Sequence, residues 1–430
     1  MPLQLVPEDG MERIAARVVV LPTAADVEEE AQRMGVTPAL LMDMAGAHGV
    51  EGIKLEGATP EVAEALRGTI SPPAGLVLAC GGTGVEGSEE GQKEPSDPGP
   101  RGLRILVAAS RALLLEAASR LDSLGGAGSD AAEAIRSTLF LYGGERLGTT
   151  RCGNLTLEWG KRTYVMGIIN VTPDSFSGDG LGKNVDAALA QAERFVQAGV
   201  DILDVGGEST RPGHEEVPVQ EELERVIPVV RRLVKEMPVP ISVDSYRLLV
   251  IQEALEAGAH MINDVWGLRR TEGLGSLAAA YNVPIVLMHN RRADATRTSL
   301  GGHFQRVEYD DMMGEIVQEL RESVELALRS NVRWENIIVD PGIGFGKTPS
   351  QNLVVMRRLK EVRSLGRPIL MGTSRKSVIG LTLGLPVEER VEGTGATVAV
   401  SICNGADIVR VHDVKEMVRI SRMTDAIVRA

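Results

Sequence analysis

Two carboxylates, Asp244 and Asp340, close the short apolar runs "PISVD" (240–244) and "NIIVD" (336–340). A carboxylate at the end of a buried strand needs hydrogen-bond donors. A guanidine-like edge, with a ring N–H beside an exocyclic amino group, supplies two in one fork. Asn263, in "HMIND" (260–264), offers both a donor and an acceptor, and Lys376 offers donors to a ring carbonyl or ring nitrogen. On residue type, this set suits a flat nitrogen heterocycle such as a pterin or a guanine. A second set suits an anion: Asn170, Arg211, Arg410 and His412, together with "SRKS" (374–377). The last opens a helix, where backbone N–H groups and the helix dipole favour negative charge. "GGESTRPG" (206–213) is a glycine-bounded loop with Ser209, Thr210 and Arg211 at its tip, the composition of a mobile cover over a substrate.

Those residues fall into one place only if the chain between them is regular. From residue 160 onward, eight apolar runs alternate with amphipathic stretches. The runs are "TYVMGII" (163–169), "DILDV" (201–205), "PISVD", "HMIND", "PIVLMH" (284–289), "NIIVD", "PILMG" (368–372) and "DIVRV" (407–411). Helical patterns follow, among them 186–199, 219–237, 248–258, 309–330 and 413–430. Strands that are apolar without alternation imply a sheet covered on both faces. Eight β-then-α units predict a closed (β/α)8 TIM barrel, with an open doubly wound sheet as the alternative. The polar residues cluster just after the strands: Asn170, Asp204, Asp244, Asn263, Asp264, His289, Asp340, 374–376, Arg410 and His412. In a barrel those strand ends form one rim, where active sites lie. "MGIINVTPDSFSGDG" (166–180) leaves its strand at Asn170, and residues 171–182 read as a lid ordered by substrate.

The barrel is expected over residues 155–430, preceded by a small α/β domain over 1–150 whose connection at 81–103, rich in Gly, Glu and Pro, reads as mobile. Two phosphate-binding look-alikes fail. Gly82, Gly84 and Gly87 fit a dinucleotide fingerprint, but no helix pattern follows them. "GIGFGKT" (342–348) ends like a phosphate loop, but the position that loop needs as its first glycine is Pro341. The net charge of −13 argues against a nucleic-acid-binding surface, while leaving room for a local basic cleft. Cys80, Cys152 and Cys403 are far apart and lack metal-ligand spacing, as expected of thiols in a reducing cytoplasm. The first twenty residues do not read as a signal peptide, and no apolar run is long enough for a membrane span.

Residues 163–430 resemble the dihydropteroate synthases, which join a pterin to para-aminobenzoate in folate synthesis. The resemblance rests on "MGIINVTPDSFS" (166–177), "DVGGESTRPG" (204–213), "ISVDS" (241–245), "INDV" (262–265), "LMH" (287–289), "DPGIGFGKT" (340–348), "SRKS" and "RVHDV" (410–414), in order along the whole barrel. It implies that Asp340, Asp244, Asn263 and Lys376 hold the pterin edge, with Met288 and Gly372 beside it and Arg410 on the ring face. It implies that Asn170, Arg410 and His412 hold the pyrophosphate, with Asn170 reaching Mg2+. Thr210, Arg211, Pro212, Phe345 and Ser377 would line the para-aminobenzoate pocket. Asp244, Lys376, Arg211 and Arg410 would be the catalytic set. The substrates implied are 6-hydroxymethyl-7,8-dihydropterin pyrophosphate and para-aminobenzoate, and the assembly implied is a homodimer through barrel helices.

The family's dissociative route breaks the C–O bond to pyrophosphate before the amine attacks. Arg410, His412 and Mg2+ would stabilise the leaving oxyanion, and Asp244 and Asp340 the cationic pterin methylene. Sulfonamides should compete with para-aminobenzoate. The chain departs from the family pattern at Gly178-Asp179-Gly180, where Asp-Gly-Gly is usual, and at Asn290, where Met is frequent. Two other readings share the barrel: a methyltetrahydrofolate-dependent methyltransferase, which has no pyrophosphate to bind, and a pterin-binding barrel without catalysis.

Overall fold

Short Val- and Ile-rich strands must be covered on both faces, and the two parts of the chain achieve this differently. The computed structural model describes residues 15–34, 50–70, 75–81, 103–143, 147–171, 184–208, 217–291, 296–297 and 304–429. It divides into two compact units, Met1–Glu145 with Ser364–Gly366, and Arg146–Arg363 with Arg367–Ala430.

The first unit runs β1 (Ala15–Leu21), α1 (Ala24–Met34), β2 (Val50–Ala58), α2 (Pro60–Thr69), β3 (Gly75–Gly81), β4 (Leu103–Ala109), α3 (Arg111–Asp122) and α4 (Ala127–Tyr142). Its sheet is antiparallel, in the order β1-β2-β4-β3. Alternation along each strand sorts the side chains. Ile53 and Leu55 join Val62, Leu66, Leu114 and Ile135 under α2, α3 and α4. Lys54, between them, turns to the face that α1 covers and pairs with Glu30 at 2.9 Å, both fully buried. Of the connection expected at 81–103, only the two end residues lie among the described ones, and both belong to strands.

The second unit opens with a hairpin, β5 (Thr149–Cys152) and β6 (Leu155–Glu158), and continues with β7 (Tyr164–Asn170), α5 (Val185–Ala198), β8 (Ile202–Gly206), α6 (Val219–Glu236), β9 (Ile241–Asp244), α7 (Leu248–Glu256), β10 (Met261–Asp264), α8 (Leu274–Tyr281) and β11 (Ile285–Met288). A short ladder, β12 (Thr296–Arg297) and β13 (Phe304–Arg306), leads to α9 (Met312–Arg329), β14 (Ile337–Asp340), α10 (Pro349–Arg357), β15 (Leu370–Met371), α11 (Ser377–Leu383), α12 (Val391–Cys403), β16 (Ile408–Val411) and α13 (Val414–Val428). Eight parallel strands run in the order β14-β11-β10-β9-β8-β7-β16-β15, and a parallel bridge between Val339 and Ile369 closes the ring. This is the (β/α)8 barrel that the strand count predicts.

Local chemistry sets the element ends. Asn184 caps α5 by accepting from Ala187 N, and Gly199 ends it at φ 91°, a conformation that glycine adopts without strain. Thr348 and Gln351 form a reciprocal capping box on α10. Inside the barrel the first layer is apolar: Met166, Ile202, Met261, Val286, Ile338, Leu370 and Ile408. The β5-β6 hairpin adds Cys152 and Leu157 to that cluster, with Trp159 just after it, and so forms the floor of the barrel. One layer higher, the same inward-facing register positions become polar, because side chains two residues apart share a face. Ile202 gives way to Asp204, Met261 to Asn263 and Ile408 to Arg410.

Candidate active site

The polar layer converges on Arg410, the third residue of β16. Its Nε donates to Asp204 Oδ2 at 2.6 Å and its Nη2 to Asp244 Oδ2 at 2.7 Å. Asp204, from β8, is fully buried and also accepts from Asn263 Nδ2 at 3.0 Å. The amide of Asn263 therefore turns its NH2 toward Asp204 and keeps its carbonyl oxygen for something else. Asp204 Oδ1 has no hydrogen-bond partner among the described residues. Burial pushes the Asp244 carboxyl up to about 7; Arg410 opposes that shift, and Asp204 and Glu222 add to it. Burial works against the charge on Arg410, but Asp204 and Asp244 outweigh it and hold its pKa above the ordinary value.

Across the mouth, β14 delivers Asp340, whose Oδ1 accepts from Gly342 N at 2.7 Å. Burial raises its pKa, against the charge of Lys376 and the Gly342 bond. Lys376 is the N-cap of α11. Its Nζ donates to Ile343 O and lies 4.8 Å from the centroid of the Phe345 ring. Gly372, just past β15, lies between the two cations: a Cβ there would sit 3.9 Å from both Lys376 Nζ and Arg410 Cβ. Met288 and Phe345 pack with Val265, against Tyr246 and Trp266. Ser374 Oγ accepts from His412 N at 3.1 Å and lies 3.0 Å from His412 Nδ1, fixing that ring beside α11. Asn170 is the last residue of β7, opposite Gly206, and Ser377 is the first of α11.

The structure thus brings Asp244, Asn263, Asp340, Gly372, Lys376 and Arg410 around one opening, with Met288 and Phe345 on one wall and His412 near the α11 terminus. Thr210, Arg211, Pro212 and most of the lid expected at 171–182 lie outside the described residues. Two of the rim residues are occupied by the fold itself. Asp264 accepts from Trp266 N and Leu268 N, and so closes its own turn. Arg375, within "SRKS", pairs with Asp413. In the sequence Asp204 stands on the rim without a task, and Ser374 and Lys347 stand only as members of the 374–377 and 342–348 motifs. Strand parity held the missing signal for Asp204, since Asp204, two residues beyond Ile202, must face inward.

A family profile for pterin binding enzymes matches residues 166–412, from the middle of β7 to the residue after β16. The chain belongs to this family. Within it, the chain is 48% identical over 280 residues to the dihydropteroate synthase of Clostridium beijerinckii, a match covering 65% of this chain and 99% of that protein. It is similar to the crystal structure of the Clostridium difficile dihydropteroate synthase in the presence of pteroic acid, with a TM-score of 0.58 and 49% identity, covering 63% of this chain and 99% of that one. It is also similar to the Xanthomonas albilineans dihydropteroate synthase with 4-aminobenzoic acid, with a TM-score of 0.59 and 41% identity, covering 65% and 97%. The polar layer lies within the span shared with the pterin binding enzymes, and Met1–Glu145 of the first unit lies outside it.

Proposed function

We propose that this chain is a dihydropteroate synthase, condensing 6-hydroxymethyl-7,8-dihydropterin pyrophosphate with para-aminobenzoate to give 7,8-dihydropteroate and pyrophosphate. The observation that carries this reading is the constellation of two donor-seeking carboxylates, Asp244 and Asp340, with Asn263, Lys376 and Arg410 at one barrel mouth. Asp340, Asp244, Asn263 and Lys376 hold the edge of the pterin, and Met288 and Gly372 leave room for its plane. Arg410 lies against the ring, its guanidinium plane fixed by Asp204 and Asp244. Arg410 and His412 receive the pyrophosphate, and the leaving oxyanion develops against the Arg410 guanidinium beside the His412 ring. Asp244 and Asp340 balance the charge left on the pterin methylene. The weakly nucleophilic amine of para-aminobenzoate then forms the C–N bond and gives up its proton, a step governed by positioning rather than by a strong base. Phe345 and Ser377 border its pocket; the roles that the resemblance implies for Thr210, Arg211, Pro212 and the 171–182 segment fall, Val171 apart, outside the described residues.

The donor set fits a magnesium ion carried on a diphosphate. Asn170 offers one neutral amide oxygen at the rim, and the described residues contain no group of three or more His, Cys, Asp or Glu placed to hold a metal by themselves. Bound there, Mg2+ would neutralise charge on the leaving pyrophosphate. We further propose a homodimer through barrel helices. Its support is a set of exposed apolar side chains on three helices adjacent along the chain: Leu381 and Leu383 on α11, Val400 on α12, and Met423 and Ile427 on α13. No helix among the described residues is long and apolar enough to cross a membrane. The deciding assay mixes the protein with the pterin pyrophosphate, para-aminobenzoate and Mg2+ and follows pyrophosphate and dihydropteroate together. Stoichiometric release is expected, and an intact protein that forms neither product would sink the proposal.

A further inference from the structure

The "GIGFGKT" run fails as a phosphate loop, and the reaction above leaves its lysine without a task. Lys347 is 2% exposed. Its Nζ lies 2.8 Å from His289 Nδ1 and donates to Gly342 O at 3.1 Å and Phe345 O at 3.3 Å. An ammonium has three protons, and these three acceptors use them all. Accepting at Nδ1 leaves the imidazole proton on Nε2, which faces Glu319 Oε2 at 3.4 Å.

We propose that Lys347 is a positioning residue for the pterin: its buried ammonium clamps the 341–347 loop and supplies positive charge behind Asp340, so that Asp340 stays ionised to accept the donor edge of the heterocycle. This rests on the synthase reading. The clamp acts on both ends of the loop. At one end Gly342, at φ 70°, donates its N–H to Asp340 Oδ1, which leaves Oδ2 for the ligand. At the other end Phe345 is held beneath Lys376. Between them Gly344 N donates to Asn352 Oδ1 at 2.7 Å, a neutral pin on the same loop.

The charge argument has a definite sign. Burial pushes Lys347 down to about 7; Asp340 and Glu319 work to keep it charged, while Lys376 and Arg291 oppose them. His289, itself held down to about 3 mainly by burial, stays neutral and adds no competing charge. Burial raises the pKa of Asp340, and the positive charges of Lys376, Lys347 and Arg410 lower it. Removing the Lys347 charge therefore raises Asp340 further, and pterin binding fails at a higher pH on the acid side.

The test is calorimetric titration of the full-length chain with the dihydropterin pyrophosphate across the acidic to neutral range. Measured in an Asp244→Asn background, which leaves Asp340 as the edge carboxylate that titrates, Lys347→Met should weaken binding by about tenfold or more on the acid side of neutral and move the acid midpoint up by about one pH unit. Asn352→Ala loosens the same loop without touching its charge, so it should weaken binding and leave the midpoint where it is. A Lys347→Met protein with the same midpoint as its Asp244→Asn parent would overturn the proposal, whatever its affinity. Lys347→Gln replaces it if the methionine variant does not fold. A wild-type chain that neither binds the pterin nor turns it over would overturn the synthase reading instead, a result distinguishable from an unmoved midpoint in an active enzyme.

Discussion

At the scale of single residues, the site is an exercise in keeping buried charges useful. Asp244 ionises near neutral pH because burial raises it and Arg410 only partly compensates. If its anion balances the pterin cation, kcat/KM should fall as pH drops through about 7. Asp244→Asn should lower the rate and abolish that limb, so a pH–rate profile of the variant that keeps the limb would assign it elsewhere. Asp204 acts one step further back. It touches both Arg410 and Asn263, and an asparagine there cannot satisfy both donors with a charge-assisted bond. Asp204→Asn should cost roughly 10–100-fold in kcat/KM for the pterin, with KM for para-aminobenzoate little changed. Steady-state kinetics with each substrate varied in turn would check the split. An unchanged pterin term would mean that Asp204 serves packing alone.

At the scale of elements, apolar runs were the readable part, and the reason is physical. A strand buried on both faces has to be continuously apolar, so all eight barrel strands fall within a residue or two of their expected bounds. The short β5-β6 hairpin carried a weaker signal. Each strand is four residues long, and only the Gly153-Asn154 turn marks it. In the first unit, helix α3 carries a local start signal, Ser110, which caps it by accepting from Leu113 N. What no local pattern could reveal was the division of rim residues into site and scaffold. Asp204 and Asp264 look alike in sequence. One is claimed by Arg410 and Asn263 from distant strands, the other by two amides within its own turn. The hairpin gives a prediction at this scale. Leu157 is fully buried in the floor, a whole layer below the polar residues. Leu157→Ala should destabilise the protein by about 2–5 kcal/mol in chemical denaturation, while KM for both substrates stays near wild type. Altered KM would mean that the floor couples to the polar layer above it.

At the scale of the whole molecule, the question is what covers the apolar side chains left outside. Met423 is 62% and Ile427 68% exposed, although α13 has a buried face of its own in Val414, Met417 and Val418. An amphipathic helix normally turns charge outward, so apolar groups on its second face need a partner. Leu381, Leu383 and Val400 extend the same character onto α11 and α12. Burying each such side chain is worth about 1.5–3 kcal/mol, so a handful placed in a two-fold contact is enough to offset the cost of association. A second copy of this chain is the economical occupant, because a two-fold interface pairs one surface with itself. Sedimentation of the wild-type protein should therefore give a dimer at micromolar concentration. Met423→Glu combined with Ile427→Glu should give a monomer whose circular dichroism and unfolding midpoint remain close to wild type, since neither side chain belongs to the core. A wild-type chain that sediments as a monomer would dispose of the dimer. A double variant that stays dimeric would move the contact away from α13.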